Sequence, residues 1–398
     1  MKELVTTVCL PKRTDGFVRV LAAEAFLVLF QAYMVAPLIP SLAESLHAKV
    51  ATLGLLIPAY TIPYGLSTLL YGAISDRFGR KRLLLILYAL LALSSLLVPL
   101  CRTVDQLILL RIFAGLSTGG IVPVSVSLIG DTFPYEKRGK PIGMLFGAMA
   151  GGMTFGASLG IFFNPILGWR NEYLIAGLIS LALAVWAVAT HRTFPAEIEK
   201  TPLKASKLVS NARQLLGSSR GRRIYSYIFI NGMFHSGVFS WLGYYFKTEH
   251  NLQDQATGLA LLGYGVPGML LGVTIGRWAD RRGRQRIIPF GLLVGAFSVL
   301  TLAFRIPVWL AAVVASTLSL GYDMTQPLFA GMVTTTGNEQ TRGLAVGLSA
   351  CVLFLGYGAG AFIFQLLSTG GLSRPFVVFG SFELLIGLLA FRLFKNHR

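Results

Sequence analysis

The sequence predicts an all-α membrane protein of twelve transmembrane helices, arranged as two pseudo-symmetric six-helix bundles. Three observations carry that prediction. The 398 residues are 54% hydrophobic and only 13% charged, with a mean hydropathy of +0.66, whereas a soluble domain carries about 25% charged residues. Twelve apolar runs approach or exceed the roughly 20 residues a helix needs to cross the hydrocarbon core. One short pattern also occurs twice, 204 positions apart, as GAISDRFGRKR at 72–82 and GRWADRRGRQR at 276–286.

In chain order the first six runs cover roughly 17–40, 50–71, 83–101, 107–130, 139–163 and 170–190. The second six cover roughly 222–246, 256–275, 287–304, 307–330, 342–367 and 374–394. Between the sets lies a polar stretch with Pro195, Pro202, Lys200, Lys204, Lys207 and Arg213. The expected organisation is an N-terminal bundle at 1–190, a linker at 191–221 with a short amphipathic helix near 203–216, and a C-terminal bundle at 222–398. The N-terminal residues lack the apolar core and cleavage site of a signal peptide, so the first span is expected to remain in the mature protein.

The repeat extends beyond its core. Gly72, Asp76, Arg77, Gly79, Arg80 and Arg82 align with Gly276, Asp280, Arg281, Gly283, Arg284 and Arg286. Pro63 falls on Pro267, and Arg138, Gly139 and Gly143 fall on Arg342, Gly343 and Gly347. Chance reproduces one basic loop easily, but hardly three landmarks in one register, which points to two homologous halves.

A formal charge of +18 would suggest nucleic acid for a soluble chain, but here the basic residues cluster in short segments between apolar runs. With the N-terminus inside, 28 of the 35 Lys and Arg fall on the inner side and 6 on the outer, with Arg111 inside a span. Both termini are therefore expected in the cytoplasm, with the chain in the cell membrane, most naturally a bacterial cytoplasmic membrane. Cys9, Cys101 and Cys351 offer neither a disulfide framework nor metal-ligand spacing. No metal, cofactor or nucleic acid is expected as a partner, and a monomer in the bilayer is.

The doubled loop carries a resemblance. Its form, G-x-x-x-D-R-x-G-R-[KR]-[KR] after the second span with a degenerate copy after the eighth, resembles the signature of the major facilitator superfamily, and the likeness covers essentially the whole chain. It implies two six-helix bundles around a central cavity, each a nested pair of three-helix repeats. It also implies that Asp76, Arg77, Arg80 and Asp131 latch the halves together when the cavity opens outward, with Asp280, Arg281 and Arg284 as the second copy. From the residues themselves, Gly72 and Gly79 allow close approach and a tight turn, as Gly283 does in the second loop. Arg77 can fork onto a carboxylate, with Asp131 as candidate. The bland alternative is that these residues merely mark the inner face.

In span four, Leu107, Arg111, Ala114 and Gly115 resemble a family signature, with Ala114 in place of its usual Gln. A charge inside a span is costly unless it faces water or a partner, so Arg111 either serves proton coupling or substrate, or snorkels to the surface. In span five, Gly143, Gly152, Gly156 and Gly160 resemble a glycine-rich signature of exporters that exchange substrate for protons, although Ala157 and Ile161 replace its Pro and Gly. Gly152, Gly156 and Gly160 form a ridge at i, i+4 and i+8 that admits a close helix crossing. Gly356 and Gly360 on span eleven are its equivalents, and the expected contact is between spans five and eleven, across the halves.

Acidic residues within spans are Glu24, Asp323 and Glu383. A carboxyl in a low-dielectric cavity can exchange protons near neutrality. The resemblance implies that spans one, four, seven and ten line the cavity, which favours Asp323 and Glu24, with Arg111 and His235 as further coupling candidates. Pairing of Glu24 with Arg19, helix capping by Asp323 and plain hydrogen bonding by His235 are the competing readings, and Glu383 is read as structural. Polar groups at helical spacing mark cavity faces: Gln31 with Glu24, then Tyr227 and Asn231 with His235, then Gln326 with Asp323. Tyr33, Tyr60, Tyr64, Trp241, Tyr264 and Tyr322 supply aromatic walls for an amphipathic substrate. Trp169 and Trp309 are assigned to the lipid interface.

The expected function is secondary active transport by alternating access, with proton-coupled efflux of small organic or drug-like compounds first. A sugar or metabolite transporter, by efflux or symport, is the alternative, and a transport-like sensor a more distant one. No Walker loop, HExxH or GxSxG pattern supports an enzyme or an ATP-driven pump.

Overall fold

The computed structural model describes residues 14–134, 137–189, 205–333 and 342–394, and the regular elements among them are all helical. Span one is Thr14–Ser45. Span two begins as Val50–Leu53, tightens into a 3-10 turn at Gly54–Leu56 and runs on as Pro58–Phe78. Span three is Arg80–Leu97, and span four is broken into Val104–Thr118 and Ile121–Thr132. Gly139–Ala189 is one stretch that turns at Gly168 (φ 73°, ψ 149°), so spans five and six join at a single residue. That turn needs a positive φ, which glycine adopts at little cost.

The second half repeats the plan. Span seven is Ser219–Glu249, span eight Asp254–Arg282 and span nine Arg284–Leu302. Span ten is broken into Val308–Asp323 and Gln326–Val333, span eleven is Arg342–Leu367 and span twelve Ser373–Leu393. Nine helices among the described residues are long and apolar enough to cross a membrane by composition alone. That set counts Gly139–Ala189 once and omits spans seven and eight, which carry more polar residues. With these the fold holds the twelve membrane helices the sequence predicts. Ahead of span seven a helix covers Ala205–Gly217, most of the stretch expected to be amphipathic, while 191–204 lies outside the described residues.

The repeat is written into the backbone. Among the described residues, the non-glycine residues with positive φ are His47 (49°) and Asn251 (53°), which are 204 apart, as are Gly79 (85°) and Gly283 (89°). Each of these two glycines ends a helix by donating its N–H back, Gly79 to Ser75 O and Gly283 to Ala279 O. The breaks in spans four and ten also coincide, since Gly119 falls on Asp323.

Within each half, the glycine ridges set the closest packing, but not with the expected partner. A β-carbon on Gly152 or Gly156 would collide with the carbonyl oxygens of Phe26 or Phe30, and one on Gly160 would meet Met34 Cγ at 2.5 Å. Gly356 and Gly360 lie equally close to Phe229 and Met233. The ridges therefore seat span five on span one and span eleven on span seven, inside each half rather than across the two. A small-residue stripe reports a close crossing without naming the helix that crosses.

Contacts between the halves run along span two with span eleven and span five with span eight. At matching points one interface sets Thr61 against Gly358 and the other sets Thr154 against Gly265. On the side away from the basic loops the halves are sealed. Gln365 donates to Ala51 O and fills the space over Gly54, Pro37 packs on Gly243, and Phe162 packs on Gly258. Toward the basic loops the last such contact is Thr68 Oγ1 to Gly347 O at 3.5 Å. Beyond it Gly72, Gly143, Gly147, Gly272 and Gly276 face open space. The central region is thus open toward the basic loops and closed on the opposite side.

Candidate functional site

Midway between the sealed and open sides, aromatic rings from both halves meet. Tyr33 of span one packs on Phe239 of span seven with centroids 5.5 Å apart, and Phe239 packs on Tyr264 of span eight at 4.3 Å. Tyr64 of span two packs on Phe354 of span eleven at 4.2 Å, next to Tyr60 at 5.7 Å. Phe354 leads to Tyr357 at 5.1 Å, whose hydroxyl lies 2.5 Å from that of Tyr322. Tyr33, Tyr264 and Tyr322 are half-buried, not closed into the core.

Asp323 stands beside this cluster, at the end of the first segment of span ten. A β-carbon on Gly268 would lie 2.8 Å from both of its carboxylate oxygens, so glycine at 268 is what makes room for the acid against span eight. Ser319 Oγ donates to Asp323 Oδ2 at 3.4 Å. The carboxylate thus accepts from this hydroxyl instead of capping a helix through a backbone N–H. His235 is buried with its ring edge against Tyr322 at 4.9 Å, and neither ring nitrogen has a hydrogen-bond partner among the described residues.

Arg111 neither snorkels nor meets a carboxylate. Its Nε donates to Leu56 O (3.2 Å), Nη1 to Gln31 O (3.1 Å) and Nη2 to Ala32 O (3.2 Å), with its guanidinium 4.3 Å from the Tyr60 ring centroid. It braces the 3-10 turn of span two against span one. Tyr60 is held in turn by the Thr118 hydroxyl at 2.9 Å.

Several expected cavity residues point elsewhere. Gln31 donates to Ser180 Oγ (3.2 Å) and accepts from Ser95, so it faces spans six and three inside the N-terminal half. Glu24 is fully buried, within electrostatic reach of Tyr88 on span three, and its carboxylate has no hydrogen-bond partner among the described residues. The two do share a face, but polar periodicity alone does not say whether that face meets the cavity or the bundle interior. Tyr227 donates to Ile386 O and packs on Phe329 and Phe394, which directs it to span twelve. Asn231 donates to Gln326 Oε1 (3.3 Å) and accepts from Thr325 (3.0 Å), an internal brace at the break in span ten. Trp241 donates to Ala361 O at 3.3 Å within the sealed region. Trp169, expected at the lipid interface, is 4% exposed under the Arg170 guanidinium, whereas Trp309 is 66% exposed.

At the basic loop the partner of Asp131 is Arg80, not Arg77. Arg80 Nη1 lies 2.5 Å from Asp131 Oδ2 and Nη2 lies 3.3 Å from Asp76 Oδ1, and Arg80 also donates to Ser127 O. Arg77 is exposed, above the Phe78 ring at 5.7 Å. One turn separates the two arginines from opposite sides of the Gly79 bend, and the bend aims Arg80 inward. In the second copy Arg284 crowds Gly331, the equivalent of Ser127, and Arg281 is exposed. The Asp280 side chain lies outside the described residues, and Thr335 stands where Asp131 has its counterpart.

Tyr357, Phe354, Phe239 and Glu172 were not anticipated. The run Gly356-Tyr357-Gly358 held the signal for the first, a single large ring between two residues without side chains. Nothing local marks Phe239.

A family model described as Major Facilitator Superfamily matches residues 21–256 and 224–398. YwfA, an uncharacterised MFS-type transporter of Bacillus subtilis (strain 168), is 26% identical over 67% of this chain, an alignment that covers 64% of that protein. Multidrug resistance protein 2 of the same organism is 24% identical over 93% of this chain and 92% of its own length. The crystal structure of a D-xylose-proton symporter has the same fold, with a TM-score of 0.76 and 18% identity over 95% of this chain and 97% of that one.

Proposed function

The chain belongs to the Major Facilitator Superfamily, and we propose that it exports small organic, drug-like compounds in exchange for protons. It is a multi-pass membrane protein and a secondary transporter, not an enzyme. The observation that carries the efflux reading is the central cluster: tyrosine and phenylalanine faces from both halves with one carboxylate, Asp323, set among them. Such walls suit a flat amphipathic molecule, above all a cation, through apolar area and cation–π contact. The name of Multidrug resistance protein 2 supports the same substrate class.

In this reading the basic side is cytoplasmic and both termini lie there, from the Lys and Arg bias. The halves at 1–190 and 222–398 rock about the linker at 191–221, and a monomer suffices. Asp323 is the first candidate for carrying the proton, with Glu24 second. His235 remains a candidate of the same site, whereas Arg111 acts as a brace. The tyrosine hydroxyls also favour a second reading, a sugar or other polar metabolite, since three of them can donate to a polyol.

Purified protein in liposomes with an imposed pH gradient tests the proposal. A fluorescent lipophilic cation should move against the proton flux, and its movement should collapse with the gradient. Proton-driven movement of sugars with none of the cation would favour the second reading.

A further inference from the structure

On the sealed side a second polar bridge joins the halves, besides Gln365 and Ala51 O. Asn164 Nδ2 at the end of span five donates to Ser41 Oγ of span one (2.9 Å) and to Asp254 Oδ2 at the start of span eight (2.8 Å). The other oxygen of Asp254 is held by Lys247 Nζ of span seven at 2.5 Å. Both carboxylate oxygens of Asp254 are thereby engaged.

Just past the Gly168 turn, Glu172 is 7% exposed, and neither of its oxygens has a hydrogen-bond partner among the described residues. Its electrostatic neighbour across the interface is Asp254, another acid. The cations that could offset it are committed elsewhere. Arg170 on its own helix donates to Ser45 Oγ (3.0 Å) and Cys101 O (3.2 Å). Arg111 of span four is held by three carbonyls, and Lys247 is paired with Asp254. Of the other titratable groups nearby, Tyr173 adjoins it and His250 is turned to the Tyr245 hydroxyl at 3.1 Å. A buried, unpaired carboxylate facing a second carboxylate is strongly disfavoured, so the sealed arrangement fits Glu172 in its neutral form.

We propose that Glu172 is a proton-responsive positioning residue of the seal. Protonated, it lets Asn164, Asp254 and Lys247 hold the halves together. Ionised, it repels Asp254 and opens that face. In the orientation taken above, protons from the outer medium would close the outer side and return the carrier to the state that loads substrate inside. The inference rests on alternating access and not on what is carried.

The test needs no substrate. Spin labels at the exposed positions Lys49 and Arg374, one on each half, report the width of the sealed side in the purified full chain, with Cys9, Cys101 and Cys351 replaced by Ser. The ratio of narrow to wide distances should fall as pH rises, by at most about tenfold per pH unit, the limit for one proton. Glu172→Gln should hold the narrow distance at every pH. Asn164→Ala should lower the narrow fraction yet keep the pH dependence, which separates the bridge from the proton-responsive group. Asp254→Asn removes the repulsion but not the burial of Glu172 and should weaken the pH dependence without abolishing it, so an undiminished response in Asp254→Asn would overturn the proposal if Glu172→Gln does not fold. A wild-type pH response retained in Glu172→Gln, or no response in the wild type, would overturn the proposal. A failure of dye efflux with this response intact would count against the substrate reading alone.

Discussion

Asp323 owes its position to a residue that is missing a side chain. With any residue larger than glycine at 268 the carboxylate would be displaced from span eight, so Gly268→Ala should impair gradient-driven flux much as an Asp323 variant does. Asp323→Asn keeps size and hydrogen bonding but cannot titrate. It should reduce gradient-driven transport by at least about tenfold, as expected for a lost proton-transfer group, while substrate binding measured by fluorescence is retained. At the basic loop the ion pairs move the weight from Arg77 to Arg80. Removing Arg80 breaks its ion pairs with Asp131 and Asp76 and should cost about 1–3 kcal/mol, readable as a lower unfolding temperature in detergent, whereas Arg77→Ala should leave that temperature nearly unchanged. A larger loss for Arg77→Ala than for Arg80→Ala would refute the assignment. Sequence patterns singled out Asp323, Tyr33, Tyr60, Tyr64, Tyr264 and Tyr322, which lie together in the structure, because a carboxylate inside a span is rare and tyrosines pair a ring with a polar tip. They did not show that Gln31 and Tyr227 bond within their own halves, because a polar stripe on a helix looks the same whether it meets water, substrate or another helix.

At the scale of the helix, close crossings decide what can be substituted. Gly156 faces the Phe30 backbone, which cannot rotate away as a side chain can. Even Gly156→Ala should therefore destabilise the N-terminal half by about 1–3 kcal/mol, and Gly156→Leu should abolish folded protein in the membrane. Gly147, about two and a half turns away on the same helix, faces open space and should tolerate Ala. Similar yields of folded protein for Gly156→Ala and Gly147→Ala would show that span five does not lie where it is placed here. The helices themselves were legible as apolar runs, and their ends at Gly79 and Gly283 as doubled glycines. The breaks in spans two, four and ten were not, because a turn at membrane depth is held by distant groups. Arg111 reaches Leu56 across 55 positions, and no local pattern encodes that.

For the molecule as a whole, the 204-residue offset foretold the symmetry, and the side on which the centre is open became visible only with the contacts between halves. Single cysteines at Gly272 or Gly147, in a background without Cys9, Cys101 and Cys351, should react with a membrane-impermeant thiol reagent applied from the basic side. A cysteine introduced at Thr61, buried at the crossing with Gly358, should resist the reagent from the opposite side. Equal labelling from the two sides would contradict the closed face. The crossings at Thr61–Gly358 and Thr154–Gly265 carry one more consequence, for how such a chain could be assembled from separate pieces. Both threonines belong to the N-terminal half and both glycines to the C-terminal half. Two copies of the first half would press threonine on threonine at both seams, and two copies of the second would leave a gap at both. The two halves therefore meet as a plug and a socket, and each fits the other better than it would fit a second copy of itself.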